Sequence, residues 1–164
     1  MAINRKNISA LVLAMLPALA LAAGDHAAHG GQHDDKAAAG HDAAGMAGDP
    51  ARVTRTVPVE MDDTMRFTPD KISVKAGETV RFFVVNKGKL RHEMMIGSMA
   101  ELNEHAEMMK KMPDMVHKEP NQISLAPGQR GGIVWQFTDA GTVDFACLQP
   151  GHKEAGMVGA VQVQ

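Results

Sequence analysis

The run FACLQPGHKEAGM, residues 145–157, governs how the rest of the chain is read. It sets Cys147, His152 and Met157 at equal five-residue steps on one short segment. Cys147 is the only cysteine among the 164 residues, so it has no internal disulfide partner. A thiolate, an imidazole and a thioether on one loop form a soft, mixed nitrogen–sulfur ligand set. Sites of two His, one Cys and a long axial Met hold mononuclear copper that transfers electrons. The second His must come from upstream, and His92 in NKGKLRHEMMIG, residues 86–97, is the candidate.

Parity places the thiol. Val143, Phe145 and Cys147 fall on one face of a strand, so the sulfur points inward with the core side chains. A buried thiol in a β-sandwich is most often inert packing. This one leads straight into a Pro150-Gly151 loop bearing His and Met, which packing does not require. Met157 is the least distinctive of the set, because a closing strand could bury it as core.

Working outward, Val53, Val57, Val59 and Met61 alternate with polar residues, as a half-buried strand requires. Ile72 and Val74 repeat the pattern before a turn at Lys75-Ala76-Gly77-Glu78. Val80, Phe82 and Val84 then share one face, with Phe83 and Val85 on the other, which predicts a central strand. Turn signals follow at Asn86-Lys87-Gly88, Pro127-Gly128 and Asp139-Ala140-Gly141. Between and after them lie Ile123 and Leu125, then Ile133, Trp135 and Phe137, and finally Val161 and Val163. About seven to eight short strands with regular turns predict an all-β sandwich.

In this order, the strands, the Asn86-to-His92 turn and the Cys-x4-His-x4-Met loop resemble a complete cupredoxin domain over residues 51–164. The resemblance implies a Greek-key sandwich, with His92, Cys147 and His152 as equatorial copper ligands and Met157 as the axial one. Glu93, next to a ligand, holds a place where a polar side chain can brace the ligand loops. Two departures from small electron carriers stand out: a long tail before the domain and a Met-rich insertion at 94–118. Both resemble the periplasmic cupredoxins of bacterial copper tolerance.

Residues 1–22 read as a signal peptide. Arg5 and Lys6 give a positive start, Ile8 to Leu21 an apolar stretch interrupted by Pro17, and Ala20-Leu21-Ala22 a small-residue cleavage site. The apolar stretch is short for a membrane span. Export to the periplasm is expected, with no membrane attachment after cleavage. An exported free cysteine needs an explanation, which metal ligation supplies. Cleavage after Ala23 instead would leave Gly24-Asp25-His26 at the terminus, a nitrogen set suited to square-planar Cu(II).

Cleavage removes Arg5 and Lys6 and leaves 15 basic against 19 acidic residues, a formal charge of −4. That balance excludes nucleic acid as an expected partner. The remaining length suits one monomeric domain plus a tail. The tail, residues 23–50, is mostly Ala, Gly, His and Asp with a single large apolar residue, Met46, and is expected to be disordered. It carries His26, His29, His33 and His41, an accessory group able to take Cu(II) or zinc with little selectivity.

The insertion holds seven methionines: Met94, Met95, Met99, Met108, Met109, Met112 and Met115. Ser98 and Glu101 predict a capping box, and Pro113 a helix stop. Met99, Leu102, Ala106 and Met109 form one stripe, which predicts packing onto the sandwich. Glu101, His105, Met108 and Met112 form a second stripe expected to face water. Its His and thioethers, with Met115 and His117 beyond, make a candidate accessory Cu(I) site.

No His-x-His pair occurs, so a self-contained copper oxidase or nitrite reductase is not expected, and the chain reads as a non-enzyme. No serine sits in a nucleophile elbow. Two functions remain: copper handling for tolerance, or electron transfer with His152 as the exit at a rim of Pro150, Gly151 and Ala155. Either implies copper ions, cycling between Cu(I) and Cu(II), and a periplasmic redox or copper-transfer protein as partners. The extra His and Met segments favour tolerance, because electron transfer has no use for them.

Overall fold

A computed structural model describes residues 44–112 and 118–164. Ten strands and one helix follow in order: β1 Met46–Ala47, β2 Arg55–Asp62, β3 Arg66–Thr68, β4 Lys71–Val74, β5 Thr79–Asn86, β6 His92–Gly97, α1 Met99–Lys111, β7 Gln122–Leu125, β8 Arg130–Gln136, β9 Gly141–Ala146 and β10 Val158–Val163. They make two five-stranded sheets, ordered β1-β8-β5-β2-β3 and β4-β10-β9-β6-β7. The pairs β2–β5 and β4–β10 are parallel, and every other pair is antiparallel. The strand count exceeds the sequence expectation because β1 and β3 are too short to show an alternating pattern.

The inward faces follow the alternation. Val57, Val59 and Met61 of β2, Val80, Phe82 and Val84 of β5, and Ile133 and Trp135 of β8 are buried against Val143, Phe145 and Val161 of the other sheet. An edge-on aromatic pair joins the two layers, Phe67 on Phe145 at 5.0 Å between centroids, and a second, Phe82 on Phe137 at 6.1 Å, lies within one sheet. β5 is central in its sheet, as its apolar sequence predicts, but it is covered on one face only. Phe83 on its outer face is 38% exposed.

Two boundaries differ from the sequence reading. Residues 44–50, assigned there to the tail, belong to the sandwich. Met46 and Ala47 pair with Gln136 and Trp135, and the Trp135 indole donates to the Ala44 carbonyl at 2.7 Å. A composition of small residues says nothing about such backbone pairing, so the segment looks featureless in one dimension. At the other boundary, Met94 and Met95 are not insertion residues. They lie in β6, whose six residues are all buried. The opposing sheet covers one face of β6, and Leu102 and Ala106 of α1 pack with Met95, Ala146 and Leu148 on the other.

The capping box is present: the Ser98 hydroxyl accepts from the Glu101 amide, and the Glu101 carboxylate accepts from the Ser98 amide at 2.8 Å. Leu102, His105, Ala106 and Met109 form the buried face of α1. Their i, i+3, i+4, i+7 spacing explains why His105, expected to face water, lies against the sheet. Met99, expected to pack, is 43% exposed in the first turn.

Candidate metal centre

His92 opens β6, and Cys147 follows directly on β9, its neighbour in the sheet. The register Met95↔Ala146 and Ile96↔Phe145 carries the two side chains to the same end of the sandwich. The Glu93 amide donates to Cys147 Sγ at 3.3 Å, which fixes the sulfur. From Cys147 the chain turns through Gly151 (φ 84°) and Gly156 (φ 95°), left-handed conformations that favour glycine. His152 accepts its place through its amide, which donates to the Gln149 carbonyl at 3.0 Å. Met157 returns with its amide donating to the His152 carbonyl and its carbonyl accepting from the Cys147 amide, both at 3.0 Å. Arg66 Nη1 donates to the Ala155 carbonyl at 3.0 Å and pins the outside of the loop.

The donor atoms of His92, Cys147 and His152 all lie within 4.8 Å of one another. Cys147 Sγ is 3.3 Å from His152 Nδ1, and the two imidazole rings are 4.9 Å apart. His92 and Cys147 are fully buried, whereas His152 is half-exposed at the rim. The Met157 side chain is buried among the same core residues as Cys147. Among the described residues this is the one such grouping of three His, Cys or acidic side chains.

Burial pushes the Cys147 thiol up to about 12, although amide donors from Gln149 and Glu93 oppose the shift. The copper-free site therefore holds a neutral thiol, and filling it releases that proton. Burial, and then proximity to His92, lowers His152, which favours the neutral imidazole that ligates. His92 Nδ1 is buried without a hydrogen-bond partner. A buried thiol and two imidazoles, one of them with an unpartnered nitrogen, match the needs of a copper ion with mixed nitrogen and sulfur ligands.

Residues that no local motif marks support this arrangement. Asp63, 29 residues from His92, approaches its Nε2 at 3.0 Å. The Asn86 amide donates to the Leu90 and Leu125 carbonyls at 2.7 and 2.9 Å, and its oxygen accepts from the Gly88 amide at 2.9 Å. The turn at Asn86 is legible in the sequence, but its bridge to β7 is not.

Glu93 is 1% exposed, and burial raises its carboxyl from 4.5 to about 7, against the opposing effect of bonds from Gln122 and Gln149. A folded-state value above the unfolded one means the neutral acid stabilises the fold. That contribution is complete below 4.5 and is lost as pH rises to about 7. The difference is worth about 3 kcal/mol. In copper-free protein, Glu93→Gln is expected to gain stability relative to the parent by about that amount between pH 4.5 and 7.5. Denaturant melts of both proteins across that range check it, and parallel curves would show that Glu93 does not titrate there.

The accessory candidates are not part of this cluster. His105 is buried on α1, Met108 is half-buried, and Met112 is 41% exposed at the helix C-cap. His26, His29, His33, His41, Met115 and His117 lie outside the described residues. So does the proposed cleavage site. Among the described residues, no helix is long and apolar enough to cross a membrane.

Comparison with known proteins agrees with this geometry. The profile of copper binding proteins of the plastocyanin/azurin family matches residues 53–164. The copper-resistant cuproprotein CopI of Rubrivivax gelatinosus is 51% identical over 144 residues, 85% of this chain and 84% of that protein. The protein of the same name from Vibrio cholerae is 36% identical over 120 residues, 73% of this chain and 71% of its own. Among solved structures, auracyanin B superposes with a TM-score of 0.59 at 25% identity, over 73% of this chain and 96% of its own. A dithionite-reduced auracyanin from Roseiflexus castenholzii shares the fold, with a TM-score of 0.58 at 18% identity over 68% of this chain and 98% of its own. The chain belongs to the plastocyanin/azurin family of copper-binding proteins, the cupredoxins.

Proposed function

We propose that this is an exported, periplasmic copper-tolerance protein. One redox-active copper would be held by His92, Cys147, His152 and Met157. The convergence of the three donor atoms within 4.8 Å carries the reading. Copper bound there supplies a one-electron couple. The chain's own part is to favour a neutral His152, surrender the Cys147 proton and exclude water from all but the His152 edge.

Tolerance, rather than electron carriage, is supported by two relatives named as copper-resistant cuproproteins. The extra ligands support it too: the His of residues 23–43 for Cu(II), and Met108 and Met112, with Met115 and His117, for Cu(I). His105, buried against the sheet, is left out of that group. The half-exposed edge of His152 is the observation that favours electron transfer, and electron transfer can accompany tolerance. The protein is not itself an enzyme in this reading. Its partners are copper ions and a periplasmic protein that takes electrons or copper from it.

Copper stoichiometry of the mature protein tests the reading. More than one copper per chain is expected. Deleting residues 24–43 should remove weak Cu(II) sites; the deletion stops there because residues 44–50 complete the sheet. Met108→Leu with Met112→Leu should remove Cu(I) while preserving helix propensity and volume. A strain lacking the protein should grow poorly in copper. One copper per chain, unaffected by either change, with normal growth in copper, would leave the electron carrier standing.

A further inference from the structure

Asp63 lies on the turn between β2 and β3 and reaches a ligand of the other sheet. Its Oδ1 sits 3.0 Å from His92 Nε2, while its Oδ2 accepts the Lys89 amide at 2.7 Å and its Oδ1 also accepts the Leu90 amide at 3.2 Å. Three donors on one carboxylate tie this turn to the β5–β6 loop and to the imidazole at that loop's end. The loop passes close to this carboxylate: a Cβ at Gly88 would stand 2.1 Å from Asp63 Oδ1, so a larger residue there would displace the carboxylate. His92 is wholly buried, and its other nitrogen, Nδ1, has no hydrogen-bond partner.

A carboxylate can only accept a hydrogen bond, so the nitrogen facing it must carry the ring proton. In a neutral imidazole the other nitrogen then keeps its lone pair. That nitrogen is the orphaned Nδ1, on the ring that lies 4.9 Å from His152. A mere loop brace would need only the Lys89 and Leu90 amides and would leave the imidazole free to choose either tautomer. We propose that Asp63 is a positioning residue of the copper centre: its carboxylate locks His92 as the Nε2–H tautomer, aims Nδ1 at the metal and places a negative charge behind that ligand. The inference rests on His92 being a copper ligand. His92→Gly tests that premise separately, through loss of copper from the site.

Partners of metal-bound imidazoles typically change metal affinity by about 10- to 100-fold. A charge behind the ligand favours Cu(II) over Cu(I). Asp63→Asn keeps the shape and an acceptor oxygen but removes the charge. It is expected to lower the ratio of Cu(II) to Cu(I) affinity about tenfold, which for a one-electron couple is about 59 mV upward in potential. Asp63→Ala removes the acceptor as well. In copper-free protein, nitrogen NMR of the His92 ring should show Nε2–H alone in the parent and a mixture of tautomers in Asp63→Ala. An unchanged potential in Asp63→Asn would overturn the electrostatic part. A single, unchanged tautomer in Asp63→Ala would overturn the positional part. If Asp63→Ala does not fold, the tautomer is read in Asp63→Leu, which keeps the side-chain volume without an acceptor oxygen. There a mixture of tautomers supports the acceptor role, and Nε2–H alone overturns it.

Discussion

Cys147→Ser is expected to abolish the visible thiolate-to-copper absorption completely while leaving the copper-free fold intact. The absorption needs a sulfur bound to the metal, and Cys147 is the only cysteine. A serine hydroxyl is a harder and far less acidic donor, with little preference for copper in a site otherwise of imidazole and thioether. The substitution is close to isosteric, and a hydroxyl oxygen can still accept from the Glu93 amide that now meets the sulfur at 3.3 Å. Folding should therefore survive, so lost colour reports ligation rather than collapse. Survival of the band in Cys147→Ser would remove Cys147 from the centre and with it the proposed ligand set.

Phe82→Ala is expected to cost about 3–5 kcal/mol of stability in the copper-free protein. Phe82 is wholly buried in β5, between β2 and β8, with its ring edge-on to Phe137. Domains of this kind are stable by about 5–15 kcal/mol, so the change removes a large share of the total. The prediction presumes that the domain folds without metal, since its core is built from two sheets rather than around the ion. Copper should then raise the Tm of parent and variant alike by binding only the native state. Its visible spectrum should be the same in both, because no proposed ligand is touched. A copper-free parent without cooperative unfolding would contradict this account.

The approach of Cys147 and His152 was legible in the sequence because both lie in one run of 13 residues, residues 145–157. A lone Cys, a His and a Met at fixed spacing have few readings besides copper. The inward parity of Val143, Phe145 and Cys147 agrees with their burial. The sandwich was legible for a related reason: one-sided burial imposes period-two alternation, and β2, β4, β8 and β10 all show it. The places where the reading slipped are those where burial is not one-sided. β6 is covered on both faces, so Met94 and Met95 looked like the start of a Met-rich appendage. His105 was placed in water by a helical stripe drawn one position too narrow, since the buried face of α1 includes it.

Local chemistry and periodicity, then, were enough to establish the sandwich, the approach of Cys147 to His152 and the capped helix after Ser98. Each of these is set by residues within a few positions of one another, where side-chain type and backbone period act directly. Tertiary structure alone decided that residues 44–50 complete a sheet, that Asn86 bridges to β7, and that Asp63 stands behind His92. Those contacts join residues distant in the chain through backbone carbonyls or a carboxylate, groups present along the whole sequence. Nothing in their identity marks which will meet. Only the pairing of strands and the closing of the two sheets selects the partner.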